Sequence, residues 1–280
     1  MDSRFNSPAE IASLVSKSGV TKSMLSLSKM ILLGLMAGAF IAFGGAASDV
    51  AMHGVADVGL ARVVAGVIFP VGLMLVVFTG SELFTGNCLM IIPTLEKKIK
   101  VASMLRNLVV VYISNFVGAM IIDLLITFSG QLNYSNGGLG AFTIKVALAK
   151  TTINPATAIV SGILCNILVC LAIVMATGAT DAIGKIFGVF FPICAFVVCG
   201  FEHCVANMFY IPTGVMAAMN PEYVAKAQEL YGITAQQCQS LANLSGCESL
   251  LFVTIGNIIG GMVFVGLPLY FAYIRKKKSA

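Results

Sequence analysis

Apolar stretches alternate with short polar ones along nearly the whole chain, and reading them in order gives six long apolar regions. A helix crosses the hydrocarbon core of a bilayer with roughly 20 residues. The first, third, fourth and sixth regions have about this length, so the pattern predicts an all-α membrane protein with six spans. The regions are residues 30–50, 59–95, 107–129, 157–178, 186–219 and 249–273.

The second and fifth regions are too long for one span each and too short for two. A straight helix from Gly59 to Leu95 would measure roughly 55 Å, whereas the hydrocarbon core is about 30 Å thick. Since neither region contains a polar hairpin, each is predicted to be a helix that breaks within the membrane. Such irregular backbone is tolerated only where it is buried in protein or lines a cavity.

Two polar strings that contain glycine mark the predicted breaks, and they share the pattern Gly-x-Glu-x-x-x-small-Asn. Spans three and six also share Asn-x-x-Gly, starting at Asn115 and Asn257. We therefore predict an inverted repeat, 30–129 and 157–273, with a transport site near the membrane midplane. The residues interpreted as structural at the breaks are Gly80, Glu82 and Asn87, and Gly200, Glu202 and Asn207.

Charged side chains are scarce, with 17 Lys and Arg and 12 Asp and Glu among 280 residues. A soluble domain carries roughly 25% charged residues, so the composition excludes a soluble enzyme. The net charge of +5 forms no basic face of the kind that binds nucleic acid. Residues 1–280 are predicted to form a single transmembrane domain.

The cations are distributed unevenly between the two sides of the predicted bundle. All but four fall on one side, so the positive-inside rule predicts a multi-pass protein of the cell membrane with both termini in the cytoplasm. Residues 1–27 are then a cytoplasmic segment, and the amphipathic pattern of 8–19 predicts a helix on the membrane surface, as an anchor or as a gating lid. The four outer cations are Arg62, Lys145, Lys150 and Lys226.

Ionisable residues inside a span are costly and indicate function. We interpret Glu82 and Glu202 as acceptors for the backbone N–H groups that the breaks expose, with a cation site as the alternative. Asp123 is expected to face the outer interface or a neighbouring helix. His203 has no counterpart in the first repeat, where Leu83 occupies the matching position.

His203 and Thr85 carry the polar chemistry of the two breaks. Histidine changes charge near neutral pH and could present a proton to an anion, while a threonine hydroxyl donates or accepts. Helix N-termini at the breaks would add positive dipole ends, so a small monovalent anion is favoured over a cation. Three bulky apolar residues beside the breaks could form dry constrictions, or simply pack in the core: Leu83, Phe84 and Phe196.

Three other functional classes are alternatives to an anion channel. An aquaporin-type channel for neutral solutes would need two Asn-Pro-Ala copies from opposite faces, whereas 154–156 and its degraded copy at 220–222 are both on the predicted outer side. A redox enzyme would need paired histidines, and the chain has two in total, so no catalytic residue, metal or cofactor is expected. The eight cysteines lack metal spacing, and Cys238 and Cys247 of the outer loop either pair or remain thiols. A proton-coupled transporter stays open beside a channel.

The strings at 80–87 and 200–208 resemble the two signature stretches of the formate/nitrite transporter family, and the resemblance extends over nearly the whole chain. By overall resemblance it is closest to the hydrosulfide channel branch, and Gly86 and Asn87 stand where formate channels carry Ser and Thr. The resemblance implies an aquaporin-like fold, a homopentamer with one pore per protomer, and conduction of hydrosulfide, with formate and nitrite as further substrates.

The resemblance also implies roles for individual residues. His203 matches the pore histidine, Thr85 the threonine of the first loop, and Lys150 the vestibule lysine. From its position alone, Lys150 would either attract anions to the mouth or extend to the membrane interface. The residues at pore-lining or pore-adjacent positions are Leu73, Leu83, Phe84, Phe196, Asn166 and Asn257.

Overall fold

The computed structural model describes residues 5–275 and is mostly α-helical. Arg4 and residues 276–278, which belong to the predicted cytoplasmic cations, lie outside the described residues. The helices, numbered in chain order, are α1 Pro8–Ser23, α2 Leu27–Met52, α3 Val58–Ile68, α4 Val71–Thr79, α5 Phe84–Asn87, α6 Ile91–Leu95, α7 Val101–Phe128, α8 Gly138–Thr151, α9 Pro155–Gly178, α10 Ala182–Cys199, α11 Cys204–Ala218, α12 Pro221–Tyr231, α13 Ala235–Ala242 and α14 Ser249–Gly261, which continues to Ile274 partly as π-helix.

Six helical stretches are long and apolar enough to cross a membrane, which confirms the predicted span count. The second stretch ends at Thr79 and the fifth at Cys199, and a shorter apolar helix follows each one, so both predicted breaks are also confirmed. The spans are Leu27–Met52, Val58–Thr79, Val101–Phe128, Pro155–Gly178, Ala182–Cys199 and Ser249–Ile274.

The two breaks have nearly the same backbone shape. Gly80 and Gly200 follow α4 and α10 with φ angles of 68° and 73°, in the left-handed region where glycine has no steric penalty. The chain then extends, with φ and ψ of −104° and 123° at Leu83 and −112° and 117° at His203. A new helix starts directly after each of these residues.

Each repeat contains one closely packed helix pair, and the two pairs have matching contacts. In the α2–α7 pair, a Cβ atom on Gly118 would lie 2.0 Å from the carbonyl oxygen of Leu35, and in the α9–α14 pair, one on Gly260 would lie 2.3 Å from that of Ile163. Small residues let helix backbones approach this closely. Each pair buries the polar side chains that the breaks use.

The first helix packs against the half-helices that follow the first break. The Ser7 side chain caps α1 in a box with Glu10, which satisfies backbone N–H groups at the helix start. Ile11 and Val15 join an apolar cluster with Leu89 and neighbouring residues. The predicted amphipathic range 8–19 lies within this helix.

The helices of the loops between the spans were not predicted. The sequence between spans three and four contains α8, which packs against α11, and the outer loop before span six contains α12 and α13. These helices have mixed polar and apolar composition, so no long apolar run marks them. Among these helices, α8 matters for function because it places Lys150 beside the second break.

Candidate functional site

The two breaks meet at one side-chain contact in the protein interior. Thr85 stands in α5, just after the first break, and His203 precedes α11 at the end of the second. The Thr85 Oγ1 and His203 Nε2 atoms are 2.9 Å apart, although 118 positions separate the residues in sequence. Thr85 is fully buried and His203 nearly so. The structure therefore brings together the two polar residues that the sequence placed in separate breaks.

The hydrogen bonds of His203 determine which ring nitrogen carries the proton. Its Nδ1 atom accepts from the backbone N–H of Ala206 at 3.1 Å, as the N-cap of α11. An accepting nitrogen carries no proton, so the neutral ring is protonated on Nε2 and donates to Thr85 Oγ1. The hydroxyl hydrogen of Thr85 then remains for an acceptor such as an anion.

Asn115 of α7 satisfies the backbone of the first break. Its Nδ2 atom donates to the carbonyl oxygens of Gly34 at 2.8 Å and Glu82 at 2.9 Å, and its Oδ1 atom accepts from the N–H of Phe84 at 2.9 Å. Backbone groups that are buried at membrane depth must find such partners within the protein. One amide side chain thus supplies three of them.

Asn257 of α14 does the same for the second break. It donates to the carbonyl oxygens of Gly162 at 2.8 Å and Glu202 at 2.9 Å, and it accepts from the N–H of Cys204 at 2.8 Å. The resemblance placed Asn257 at a pore-lining or pore-adjacent position. That position stays a prediction, and the structure shows that Asn257 holds the backbone of the break, as its counterpart Asn115, noted only as a repeat match, does in the first.

The carboxylate of Glu82 has side-chain partners rather than the backbone N–H groups expected from the sequence, so that interpretation is wrong. Its Oε1 atom accepts from Lys22 Nζ of α1 at 2.6 Å, and its Oε2 atom accepts from Asn87 Nδ2 at 2.7 Å. Asn107 of α7 bonds the same asparagine at 2.8 Å. Because Asn115 already bonds the backbone of this break, the Glu82 carboxylate pairs with a lysine.

Glu202 repeats this arrangement on the opposite side of the centre, so the same correction applies to it. Lys150 Nζ of α8 donates to Oε1 at 2.7 Å, and Asn207 Nδ2 donates to Oε2 at 2.8 Å. The Lys150 ammonium also lies 5.8 Å from the ring centre of Tyr210. A lysine from outside the span therefore neutralises each glutamate.

A cavity of about 340 Å³ leads to the second break. His203, Lys150 and Glu202 line it, together with two further cations, Arg62 and Lys145. A cavity with an excess of cations raises the local concentration of anions. The candidate site is therefore approached through a positively charged vestibule, which we call the outer cavity after its predicted side of the membrane.

The bulky residues proposed as constrictions occupy different places. Phe196 lines the outer cavity, as His203 does, and the two ring centres are 5.9 Å apart. Leu73, Leu83 and Phe84 are buried in the main apolar cluster and are not part of the outer cavity lining. Phe84 packs edge-on against Tyr112 with ring centres 4.8 Å apart.

Asn166 of α9 supports the central contact without lining the outer cavity. Its Nδ2 atom donates to the backbone oxygens of Thr85 at 3.2 Å and Asn257 at 2.6 Å. Asp123, as expected, faces a neighbouring helix, where it accepts from the Thr213 hydroxyl at 2.7 Å. Asn166 thus supports the central contact, whereas Asp123 links α7 to α11 away from the cavity lining.

Comparison with known proteins defines the family. The sequence model described as Formate/nitrite transporter matches residues 9–271. The chain belongs to the formate/nitrite transporter family. Within that family it is 39% identical to a probable formate transporter of Methanothermobacter thermautotrophicus over 99% of this chain and all of that protein. It is 36% identical to the formate channel BtFdhC of Bacillus thuringiensis over 98% of each chain.

The fold agrees with that of solved formate/nitrite transporters. A pentameric formate channel with formate bound matches with a TM-score of 0.78 and 31% identity, over 89% of this chain and 98% of that one. These relatives are named for formate, and none of them carries the hydrosulfide name that the sequence resemblance favoured. The family and the transport class are thus established together.

Residues 5–275 contain neither a candidate metal cluster nor a disulfide. Among residues 5–275, no group of three or more His, Cys, Asp or Glu side chains is arranged to hold a metal ion. Cys238 and Cys247 are both free thiols in this structure.

Proposed function

We propose that this protein is a channel for small monovalent weak-acid anions across the cell membrane, with formate as its principal substrate. The observation that carries this proposal is the contact between His203 and Thr85, where two half-helices begin beside a cationic cavity. The names of the similar proteins favour formate over hydrosulfide, and nitrite and hydrosulfide remain in the same chemical class.

The geometry supports a three-step path. Lys150 and Arg62 draw the anion into the outer cavity. Phe196 then excludes hydrated ions, because an apolar constriction disfavours a hydration shell. At the centre, the hydroxyl hydrogen of Thr85 is free to donate to the anion, and the Nε2–H of His203 polarises that hydroxyl in the same direction.

Proton-coupled transport of formate or nitrite is the second candidate function. The observation that favours it is the single imidazole at the central contact, which could pass a proton to a weak-acid anion and let it cross close to neutral. Protonation on both nitrogens would displace the Ala206 N–H from Nδ1. Proton transfer therefore requires a change at the start of α11, whereas hydrogen-bond donation does not.

Assembly and orientation follow from the same reasoning. We propose a homopentamer with one pore per protomer, since the solved formate channel that covers most of this chain is described as pentameric. The uneven distribution of cations supports cytoplasmic termini. The pore-lining residues we propose are His203, Thr85, Lys150 and Phe196.

Flux through proteoliposomes tests the function directly. Purified protein is compared with empty vesicles for uptake of formate, nitrite, hydrosulfide and chloride, with and without a pH gradient. We expect formate to equilibrate fastest and chloride slowest, without any need for a gradient. Formate uptake that requires a proton gradient would favour the coupled transporter, and uptake equal to that of empty vesicles would overturn both.

A further inference from the structure

One carboxyl group in the wall of the outer cavity has no role in the path described above. Asp49 lies in the last turn of α2 and is only 3% exposed. Neither of its carboxyl oxygens has a hydrogen-bond partner among residues 5–275. By contrast, Glu82, Glu202 and Asp123 each accept at least one hydrogen bond. An ionised carboxylate without partners is costly to bury, so Asp49 calls for a functional explanation.

The position of Asp49 places it beside the anion path rather than in the apolar core. It lines the same cavity as Lys150. One turn earlier on α2, a Cβ atom on Gly45 would lie 3.4 Å from Cζ of Tyr210, and the Lys150 ammonium lies 5.8 Å from the centre of that tyrosine ring. Asp49 therefore shares the cavity wall with Tyr210 and with the lysine that pairs with Glu202.

The charge of the cavity depends on this carboxyl group. Two neighbouring titratable groups are already engaged: His53 bonds the Val50 carbonyl and Ser135, and Asp57 caps α3. With Asp49 protonated, three cations face Glu202 alone, whereas with Asp49 ionised they face two carboxylates. The titratable and charged groups that share the cavity wall with Asp49 are Arg62, Lys145, Lys150, Glu202, His203 and Tyr210.

We propose that Asp49 is a further residue of the anion pathway, whose carboxyl group controls the charge of the outer cavity and admits anions best when it is protonated. The protonated form has no charge and offers an O–H donor. The ionised form repels each arriving anion. This proposal rests on the anion conduction proposed above.

The test measures exchange of ¹⁴C-formate in proteoliposomes that have the same pH on both sides, at several values between about 5 and 8. Equal pH removes any change in driving force. Asp49→Asn keeps the size of the side chain and is neutral throughout. We expect the ratio of its exchange rate to that of the wild type to rise with pH, reaching about fivefold at the most alkaline value.

Asp123→Asn is the matched control, because Asp123 is also a buried carboxyl group but does not line the cavity. Its ratio to the wild type should stay constant with pH. Asp49→Ser serves as a second neutral variant if Asp49→Asn does not assemble, and thermal unfolding verifies the fold of each variant.

Two results would overturn the role of Asp49 while leaving anion conduction intact. The first is an Asp49→Asn ratio that does not change with pH. The second is loss of exchange at every pH by an assembled Asp49→Asn protein, since the ionisable group would then be required rather than inhibitory. Absence of exchange by the wild type would instead overturn the proposed function, and the role of Asp49 with it.

Discussion

The two breaks of this protein share a framework and differ at one central position. In each, a glycine ends a helix, an asparagine from another span holds the loop, and a lysine from outside the spans neutralises a glutamate. The residue that precedes the new helix is Leu83 in the first break and His203 in the second. The shared parts hold irregular backbone in the membrane, and the part that differs carries the chemistry.

The two lysines belong to different helices, so substitution of each lysine is expected to affect a different side of the protein. Lys22 belongs to α1, which packs against the half-helices of the first break, whereas Lys150 belongs to α8 beside the outer cavity. The Glu82 site has Asn107 as an added hydrogen-bond partner of Asn87, while Oδ1 of Asn207 has none within the described chain. The second break therefore leaves a buried side-chain oxygen without a hydrogen-bond partner among the described residues.

Substitution of Asn115 or Asn257, which hold the two breaks, is expected to have the largest effect on stability. It tests whether the framework is equivalent in both halves. Asn115→Ala and Asn257→Ala each remove three buried hydrogen bonds, so we expect each to lower the free energy of unfolding by about 3 kcal/mol. Thermal unfolding of the purified variants measures this. A loss confined to one variant would show that the two breaks are not held alike.

Exchanging the central residue is expected to have the next largest effect. His203→Leu gives the second break the residue of the first, and it removes the donor to Thr85. Formate flux should fall about tenfold, equivalent to about 1.4 kcal/mol in the barrier, and the loss of the N-cap of α11 should lower the free energy of unfolding by about 1 kcal/mol. His203→Phe is the bulkier companion variant, and unchanged rate and pH dependence in either would contradict a polar role for the ring.

The lysine pair should give the smallest effect. Lys150→Ala removes a cation from the outer cavity, so we expect about a threefold rise in the formate concentration needed for half-maximal flux, and a weaker dependence on salt. Lys22→Ala should leave uptake through the outer cavity less affected. Equal effects of the two substitutions on uptake from that side would remove the distinction between the two lysines.

Sequence patterns predicted the spans and breaks because both depend on local properties. The apolar run from Gly59 to Leu95 was too long for the membrane, and glycine at 80 and 200 marked where each helix ends. The outer helices were missed because α8 and α12 have no long apolar run. Lys150 of α8 and Tyr223 of α12 bond groups on other elements, which no local pattern reports.

The site was predicted in parts but not in its contacts. The polar character of His203 and Thr85 was visible, whereas their 2.9 Å contact joins two repeats and depends on the tertiary fold. The lysine partners of Glu82 and Glu202 come from helices far along the chain. Asp49 stands at the end of the first apolar region, but its lack of hydrogen-bond partners is a property of the tertiary fold.

A high-resolution structure determined with saturating formate tests the central claim most directly. If the two breaks form the anion site, formate should occupy the space beside the central contact, with an oxygen about 3 Å from Thr85 Oγ1, while Nδ1 of His203 still accepts from Ala206. Formate bound along a different route through the protein, with Thr85 and His203 bonded only to each other, would contradict it.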